Sequence, residues 1–254
     1  MALCVRGRAC QFYPAMARPD PIPLPALPQI DTWVFDLDNT LYPAACNLFH
    51  QVDVRIGAFV ARLLGMAPDA ARVVQKDYLK RYGTTLRGLM VEHRLDPKDY
   101  LDFVHDIDVT RVPANPALDR ALERLPGRKL VFTNGTVTHA ERIMERLGVA
   151  RHFEAIFDIH AAAYVPKPEP AVYDQLLRDH AIQARRAILF EDMARNLKPA
   201  HDRGMTTVWV RVDSPWAQPE GDRSHIHHET DDLTEFLQAL LGHSGTAKPP
   251  PARD

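Results

Sequence analysis

Three short segments of the chain share one local template: an apolar run, a phenylalanine, then a polar or acidic residue. They are Thr32-Trp33-Val34-Phe35-Asp36, Lys129-Leu130-Val131-Phe132-Thr133 and Ala187-Ile188-Leu189-Phe190-Glu191-Asp192. Each is rich in Val, Ile, Leu and Phe without polar alternation and is too short for a free-standing helix, the pattern of parallel strands covered on both faces. Helical patterns follow. Ala140, Ile143, Met144 and Leu147 recur at helical spacing before Gly148, and the segment from Ala194 to Arg203 closes at Gly204 before a further apolar strand, Thr206 to Val210. Repeated strand-then-helix units predict an α/β fold with a doubly wound parallel sheet. Ligands of such sheets bind beyond the carboxyl ends of the strands, so Asp36, Thr133, Glu191 and Asp192 are expected to converge.

The strand ends are unevenly spaced. Thr133 and Asp192 lie 59 positions apart, enough for about two strand–helix units, whereas Asp36 and Thr133 lie 97 apart with no convincing strand between them. Phe49, Val52, Ile56, Phe59, Val60 and Leu63 recur at helical spacing there, as do Val73, Val74, Asp77-Tyr78 and Arg81 less cleanly. The expected organisation is a helical insertion at 45–115 within an α/β core of 31–44 and 116–242. Flexible tails are expected at 1–30, which holds six of the 21 prolines, and at 243–254.

Charge and composition exclude several classes. Lys plus Arg number 31 and Asp plus Glu 33, a near balance that argues against a protein coating nucleic acid with a broad basic surface. No run of about 18 apolar residues suggests a membrane span, and the first tail has no apolar stretch of the kind a secretory signal needs. Met16 is an alternative start, with residues 1–15 an upstream extension of the reading frame. Cys4 and Cys10 sit in the tail and Cys46 is alone in the body, so no disulfide framework is expected and a reducing cytoplasm fits.

Asp36-Leu37-Asp38 by itself is a weak signal, equally compatible with a solvated turn. Its position past a strand changes that, because Thr133-Asn134-Gly135 and Glu191-Asp192 occupy the same position on two other strands. Four carboxylates in one crevice repel strongly and call for a cation, and an all-oxygen donor set favours Mg²⁺ over zinc. Lys167 lies in Val165-Pro166-Lys167-Pro168-Glu169-Pro170, where prolines keep the chain extended and postpone the next helix to about Glu169. It is the candidate counter-charge for an anionic substrate; a solvated lysine is the plainer alternative.

Asp36-x-Asp38-x-Thr40, the Thr133-Asn134-Gly135 turn, Lys167 before proline and Glu191-Asp192, in this order, resemble the four motifs of the haloacid-dehalogenase-like phosphohydrolases. The resemblance spans about 31–210. Trp33 to Pro43, Tyr82 to Met90 and Phe190 to Leu197 are further similar to the pyrimidine 5′-nucleotidase branch. The resemblance implies a Rossmann-like core with a helical cap, and a Mg²⁺-dependent phosphatase acting on UMP- or CMP-type nucleoside monophosphates. In that scheme Asp36 is the nucleophile that forms an aspartyl-phosphate. Asp38 protonates the leaving oxygen and then activates water, its pKa expected to be raised by the neighbouring Asp36. Thr133, Asn134 and Lys167 bind the phosphate. The metal falls to Asp36, the Asp38 carbonyl and Asp192, with Glu191 acting through water. Asn196, four residues beyond Asp192 on the following helix, is a candidate to brace that shell, a plain surface asparagine being the alternative.

The partner expected is a small phosphate monoester, not a nucleic-acid polymer or a membrane. In the cap, Gly83 reads as a helix break with Thr84 or Thr85 as the next N-cap, and Thr84, Thr85 and Arg87 are candidate substrate contacts. His225, His227 and His228 read as surface residues of a polar linker after the last strand rather than as a zinc site, and His105-Asp106-x-Asp108 as a helix terminus. Two other readings remain at this point: a phosphatase for another small ester such as a sugar phosphate, and a receiver-like phosphoacceptor. The receiver's acceptor, however, normally follows a later strand, with no inserted cap. The second acid, Asp38, disfavours a dehalogenase. Asp36, Asp38, Glu191 and Asp192 outweigh Lys167, and one Mg²⁺ with a protonated Asp38 would neutralise the group.

Overall fold

The computed structural model describes residues 29–244, so the readings for 1–28 and 245–254 lie outside the described residues. Among the described residues six strands form one sheet: β1 (Thr32–Phe35), β2 (Arg128–Phe132), β3 (Ala155–Phe157), β4 (Ala187–Glu191), β5 (Thr206–Val210) and β6 (His228–Thr230). Their spatial order is β3-β2-β1-β4-β5-β6 and every pairing is parallel. The three segments that share the Phe-then-polar template are adjacent at its centre, with Phe35 opposite both Val131 and Phe190.

Central strands are buried on both faces because helices cover both, and side chains alternate between two cores with the period of two that strands impose. Trp33, Phe35, Val131, Ile188, Phe190 and Val208 face one core, with α5 (Pro116–Arg124), α6 (Val137–Leu147) and α9 (Leu233–Ser244). Val34, Leu130, Phe132, Leu189 and Trp209 face the other, with α7 (Pro170–Asp179) and α8 (Ala194–Asp202). Ile30 joins the first core at 3% exposure, so the ordered body begins before residue 31.

Between β1 and β2 four helices form a bundle: α1 (Leu48–Leu64), α2 (Pro68–Tyr82), α3 (Thr85–His93) and α4 (Pro97–Val104). Proline in the first turn starts α2 and α4, where a missing N–H costs nothing, and Asp96 caps α4. Val52, Phe59, Val60, Tyr78, Leu86, Leu89 and Tyr100 fill the interior. Phe49, Leu63 and Val73 are exposed instead; in α2 the buried stripe runs through Ala71, Gln75 and Tyr78, one position off the periodicity read from Val73.

The histidine cluster departs from expectation. His228 belongs to β6 and the chain there is no linker. His225 and His228 are buried, and the three rings have separate surroundings: His225 Nε2 lies 3.1 Å from the Ala194 carbonyl, whereas His227 Nδ1 accepts the Thr207 N–H at 3.0 Å. A three-residue edge strand carries too little periodicity to be seen in sequence. Burial, followed by the neighbouring His227, pushes the His228 pKa down to about 4. Between the ordinary histidine pKa of about 6.5 and that value the unfolded chain binds more protons than the folded one, so this contribution is present above pH 6.5 and lost as pH falls towards 4. Urea denaturation at pH 7 and pH 5 should show wild type losing about 1 kcal/mol more than His228→Leu, after allowing for partial solvent screening. Equal losses would refute this assignment.

Candidate active site

Residue 36 follows β1, 133 follows β2, and 191–192 close β4, so parallel pairing brings them to one edge of the sheet. The loop before α7 delivers Lys167, which is buried. Its ammonium donates to Asp36 Oδ1 at 2.7 Å, Glu191 Oε2 at 2.6 Å and the Phe132 carbonyl at 2.9 Å. The Asn134 side chain accepts the Lys167 backbone N–H at 2.9 Å, which aims the lysine. Burial alone would depress the Lys167 ammonium, but Asp36 and Glu191 outweigh it and hold the pKa above its ordinary value.

Asp36 is buried, and its Oδ2 accepts from the Thr40 hydroxyl at 3.1 Å. Burial, then the Glu191 charge, pushes the Asp36 pKa up to about 7 against the pull of Lys167. Burial, with Glu191 and Asp36, likewise holds Asp192 well above the ordinary carboxylate range. One ammonium therefore leaves three carboxylates short of positive charge. Asp36, Glu191 and Asp192 each offer an oxygen within 4.8 Å of the others, a hard-oxygen set that fits a divalent cation. Glu191 is largely engaged already, through Lys167 on Oε2 and through the Met193 N–H and Asn196 Nδ2 on Oε1. Asp192 receives a long 3.3 Å contact from Asn39 Nδ2 on one side-chain oxygen and lies against Glu191.

Asp38 departs from expectation. Its Oδ1 accepts the Tyr42 hydroxyl at 2.6 Å and lies 3.0 Å from His139 Nε2. Burial would raise its pKa, but His139, together with the Tyr42 bond, outweighs burial and holds Asp38 below its ordinary value. Asp38 thus stands below its ordinary value and not above it as crowding alone predicts, because the His139 and Tyr42 contacts outweigh what raises it.

A cavity of about 490 Å³ lies between the bundle and the sheet edge. Asp36, Asp38, Thr133, Asn134, Lys167, Glu191, Asp192 and Asn196 line it from the core, and Thr84 and Thr85 from the bundle. Thr84 is the N-cap of α3, accepting the Arg87 N–H at 3.1 Å, and the Thr85 hydroxyl donates to the Gln75 carbonyl at 3.0 Å. Arg87 does not line the cavity. Gly83 has φ +82°, and a Cβ there would lie 3.1 Å from the Lys167 carbonyl oxygen, so glycine permits both the helix break and the approach of bundle to core. Asp106 pairs with Arg55 at 3.0 Å and Asp108 caps the turn at Val109–Arg111, both structural roles at the end of α4.

His139, Tyr42 and His105 were not visible as site residues in the sequence. The one available signal was His139 itself, a polar side chain four positions before Ile143 on an otherwise apolar stripe.

Residues 30–202 match the family model for haloacid dehalogenase-like hydrolases. The chain belongs to that family. Phosphate metabolism protein 8 of Saccharomyces cerevisiae is 26% identical to this hydrolase over 204 residues, a match covering 72% of this chain and 64% of the relative. The hydrolase thus spans less than two thirds of that relative's length. Among solved structures, CbbY from Rhodobacter sphaeroides, in complex with xylulose 1,5-bisphosphate, superposes with a TM-score of 0.58 at 17% identity, covering 81% of this chain and 96% of that one. YfnB from Bacillus subtilis, bound to magnesium, gives 0.56 at 14% identity, covering 83% and 98%. At these identities the likeness establishes the fold, in agreement with the doubly wound sheet. No helix among the described residues is long and apolar enough to cross a membrane.

Addition of Mg²⁺ to metal-stripped hydrolase at about 100 times its dissociation constant should raise the melting temperature by roughly 5–10 °C. Asp192→Asn should remove that response without lowering the metal-free melting temperature, because it relieves repulsion. A Mg²⁺ response that survives in Asp192→Asn would show that the cation binds elsewhere.

Proposed function

We propose that this hydrolase is a Mg²⁺-dependent phosphatase that cleaves phosphate monoesters through an aspartyl-phosphate, with pyrimidine nucleoside monophosphates of the UMP and CMP type as substrates. One observation carries the reading: Asp36 and Asp38 line the same cavity but sit in opposed environments, the first paired with a buried ammonium and the second bonded to Tyr42 and His139. Two carboxyl groups held apart electrostatically are what a nucleophile and an acid–base partner need.

The Asp36 carboxylate attacks phosphorus; the O–P bond to Asp36 forms as the bond to the ester oxygen breaks, and Asp38 delivers a proton to that oxygen. Held below its ordinary pKa at rest, Asp38 gains proton affinity when the anionic ester enters beside it. Water then attacks the aspartyl-phosphate, Asp38 takes its proton, and Asp36 is released with inorganic phosphate. The net reaction is ester plus water to alcohol plus phosphate. Lys167 and the Thr133 hydroxyl offset charge on the transferring oxygens, and Asn134 keeps Lys167 aimed. Mg²⁺, held by Asp36, Asp192 and the Asp38 carbonyl with Glu191 through water, would supply further positive charge to the transferring group. Asn196, bonded to Glu191 Oε1, braces that shell.

The helices at 45–115 act as the cap that covers the ester's leaving group. Thr84, Thr85 and the half-buried Lys76 on that side, with the exposed Trp216 of the loop after β5 set against Lys76, suit a leaving group with both ring and polar edges. A cavity of about 490 Å³ accommodates a nucleoside monophosphate. The phosphate-metabolism relative supports phosphate chemistry. A receiver-like role is set aside, since the chain belongs to a hydrolase family and carries helices between β1 and β2.

Phosphate release from UMP, CMP, purine nucleotides and sugar phosphates should show multiple turnovers, with UMP or CMP preferred. Asp36→Asn should lower kcat at least about a thousandfold. A sugar phosphate outrunning both pyrimidines tenfold would overturn the substrate assignment and leave the reaction standing. Stoichiometric, long-lived phosphorylation would overturn the reaction.

A further inference from the structure

We infer that His139, with Tyr42, is a positioning residue for Asp38: the pair holds Oδ1 so that Oδ2 is the oxygen presented to the leaving group. The inference rests on the phosphatase reading above.

His139 is 1% exposed and stands on the apolar stripe of α6 beside Ala140 and Ile143. Burying an imidazole there is costly unless its nitrogens are bonded. Among the described residues its ring makes one hydrogen bond, Nε2 to Asp38 Oδ1 at 3.0 Å, and Nδ1 has no partner. A carboxylate accepts and cannot donate, which places the ring proton on Nε2. Tyr42 reaches the same oxygen at 2.6 Å from the turn after β1, so two donors from separate elements converge on Oδ1. Among the described residues no donor is bonded to Oδ2, and the Asp38 side chain retains 17% exposure where it lines the cavity.

The imidazole is itself held. The His105 ring stacks on it at 4.3 Å with an interplanar angle of 15°, and His105 is tied to the core through the Arg142 guanidinium, which donates to its carbonyl at 3.0 Å. Gly135 leaves room for this arrangement: a Cβ there would lie 3.1 Å from His139 Cδ2 and 3.3 Å from the Thr133 hydroxyl oxygen. An acid must meet the leaving oxygen within about 2.6–3.2 Å, so a carboxyl free to rotate would spend much of its time misaligned. Packing that locks the donor thereby locks the acid.

The test compares wild type, His139→Phe, His139→Gln and Tyr42→Phe on UMP, whose alkoxide leaving group needs a proton, and on p-nitrophenyl phosphate, whose phenolate does not. The readout is kcat/KM, which covers only the steps up to loss of the leaving group. His139→Phe keeps the stack and the volume but not the donor; it should lower kcat/KM for UMP roughly 10- to 100-fold through kcat, and for p-nitrophenyl phosphate at least about fivefold less. Tyr42→Phe should show the same leaving-group dependence, and His139→Gln, which restores an N–H, should recover activity to within about threefold of wild type. Equal losses on both esters, or a wild-type His139→Phe, would overturn the inference while leaving the phosphatase reading intact. Should His139→Phe fail to fold, Tyr42→Phe decides alone by the same comparison. If wild type cleaves neither these esters nor any nucleotide or sugar phosphate of the wider panel, the phosphatase reading falls and the inference with it; if it cleaves a sugar phosphate instead, that ester takes the place of UMP in the comparison.

Discussion

The buried ammonium of Lys167 is the interaction on which the rest of the site depends. It bonds to Asp36 after β1, to the Phe132 carbonyl at the end of β2 and to Glu191 at the end of β4. These three central strands are neighbours only because a parallel sheet orders them β2-β1-β4. Taking such an ion from water costs several kcal/mol, recovered only if every donor finds a partner in good geometry. A register slip of one residue would turn each strand's side chains to the opposite face and strand the ammonium. The ion group therefore depends on the fold and also selects its register.

The same group creates the electrostatic contrast the chemistry needs. Lys167 satisfies part of a three-carboxylate cluster, and Asp36 and Asp192 are held high by burial and then by the charge that remains unbalanced. Asp38, two residues along the chain, adds its charge to that cluster but is itself stabilised as a carboxylate by Tyr42 and His139. Two acids two positions apart thus acquire opposite shifts through their different partners. Counting charges by sequence position treated Asp38 as a fourth member of the cluster and expected its proton affinity to rise; the side-chain geometry reverses the sign.

What sequence reveals here follows from the range of the forces involved. The central strands are dense apolar runs, and their polar ends mark the edge where a ligand meets the sheet, so Asp36, Thr133, Glu191 and Asp192 are legible as a convergent set, with Lys167 legible only as a counter-charge in a proline-stiffened loop. Helix ends were equally legible where a single residue decides them, as at Gly83 and Thr84. The short edge strands β3 and β6 carry three residues each and no readable period, so nothing in the local sequence marks His228 as a strand residue. In the bundle, Val73 and Val74 both looked apolar, and only packing shows that Val73 faces outward while Gln75 is buried. His139 and Tyr42 acquire meaning only through contacts across 101 and four positions of chain, the first of which no local pattern encodes.

The division between legible and hidden residues follows the two ends of the cavity. At the sheet edge, backbone register positions the charged groups, and few side chains could replace them without leaving a buried charge unpaired. At the other end the wall is assembled from separate pieces: Thr84 and Thr85 after the break at Gly83, and Trp216 on the loop after β5, whose ring lies 4.9 Å from the Lys76 ammonium of α2. Arg195 of α8 joins the two sides through the Gly83 carbonyl at 3.3 Å. Those contacts are individually weak and depend on how the bundle seats against the core, so this wall can change while the reacting groups stay in place. On the proposed reading the charged end sets which bond is broken and the assembled wall sets whose bond it is, which is why family membership follows from a few strand-end residues and substrate choice does not.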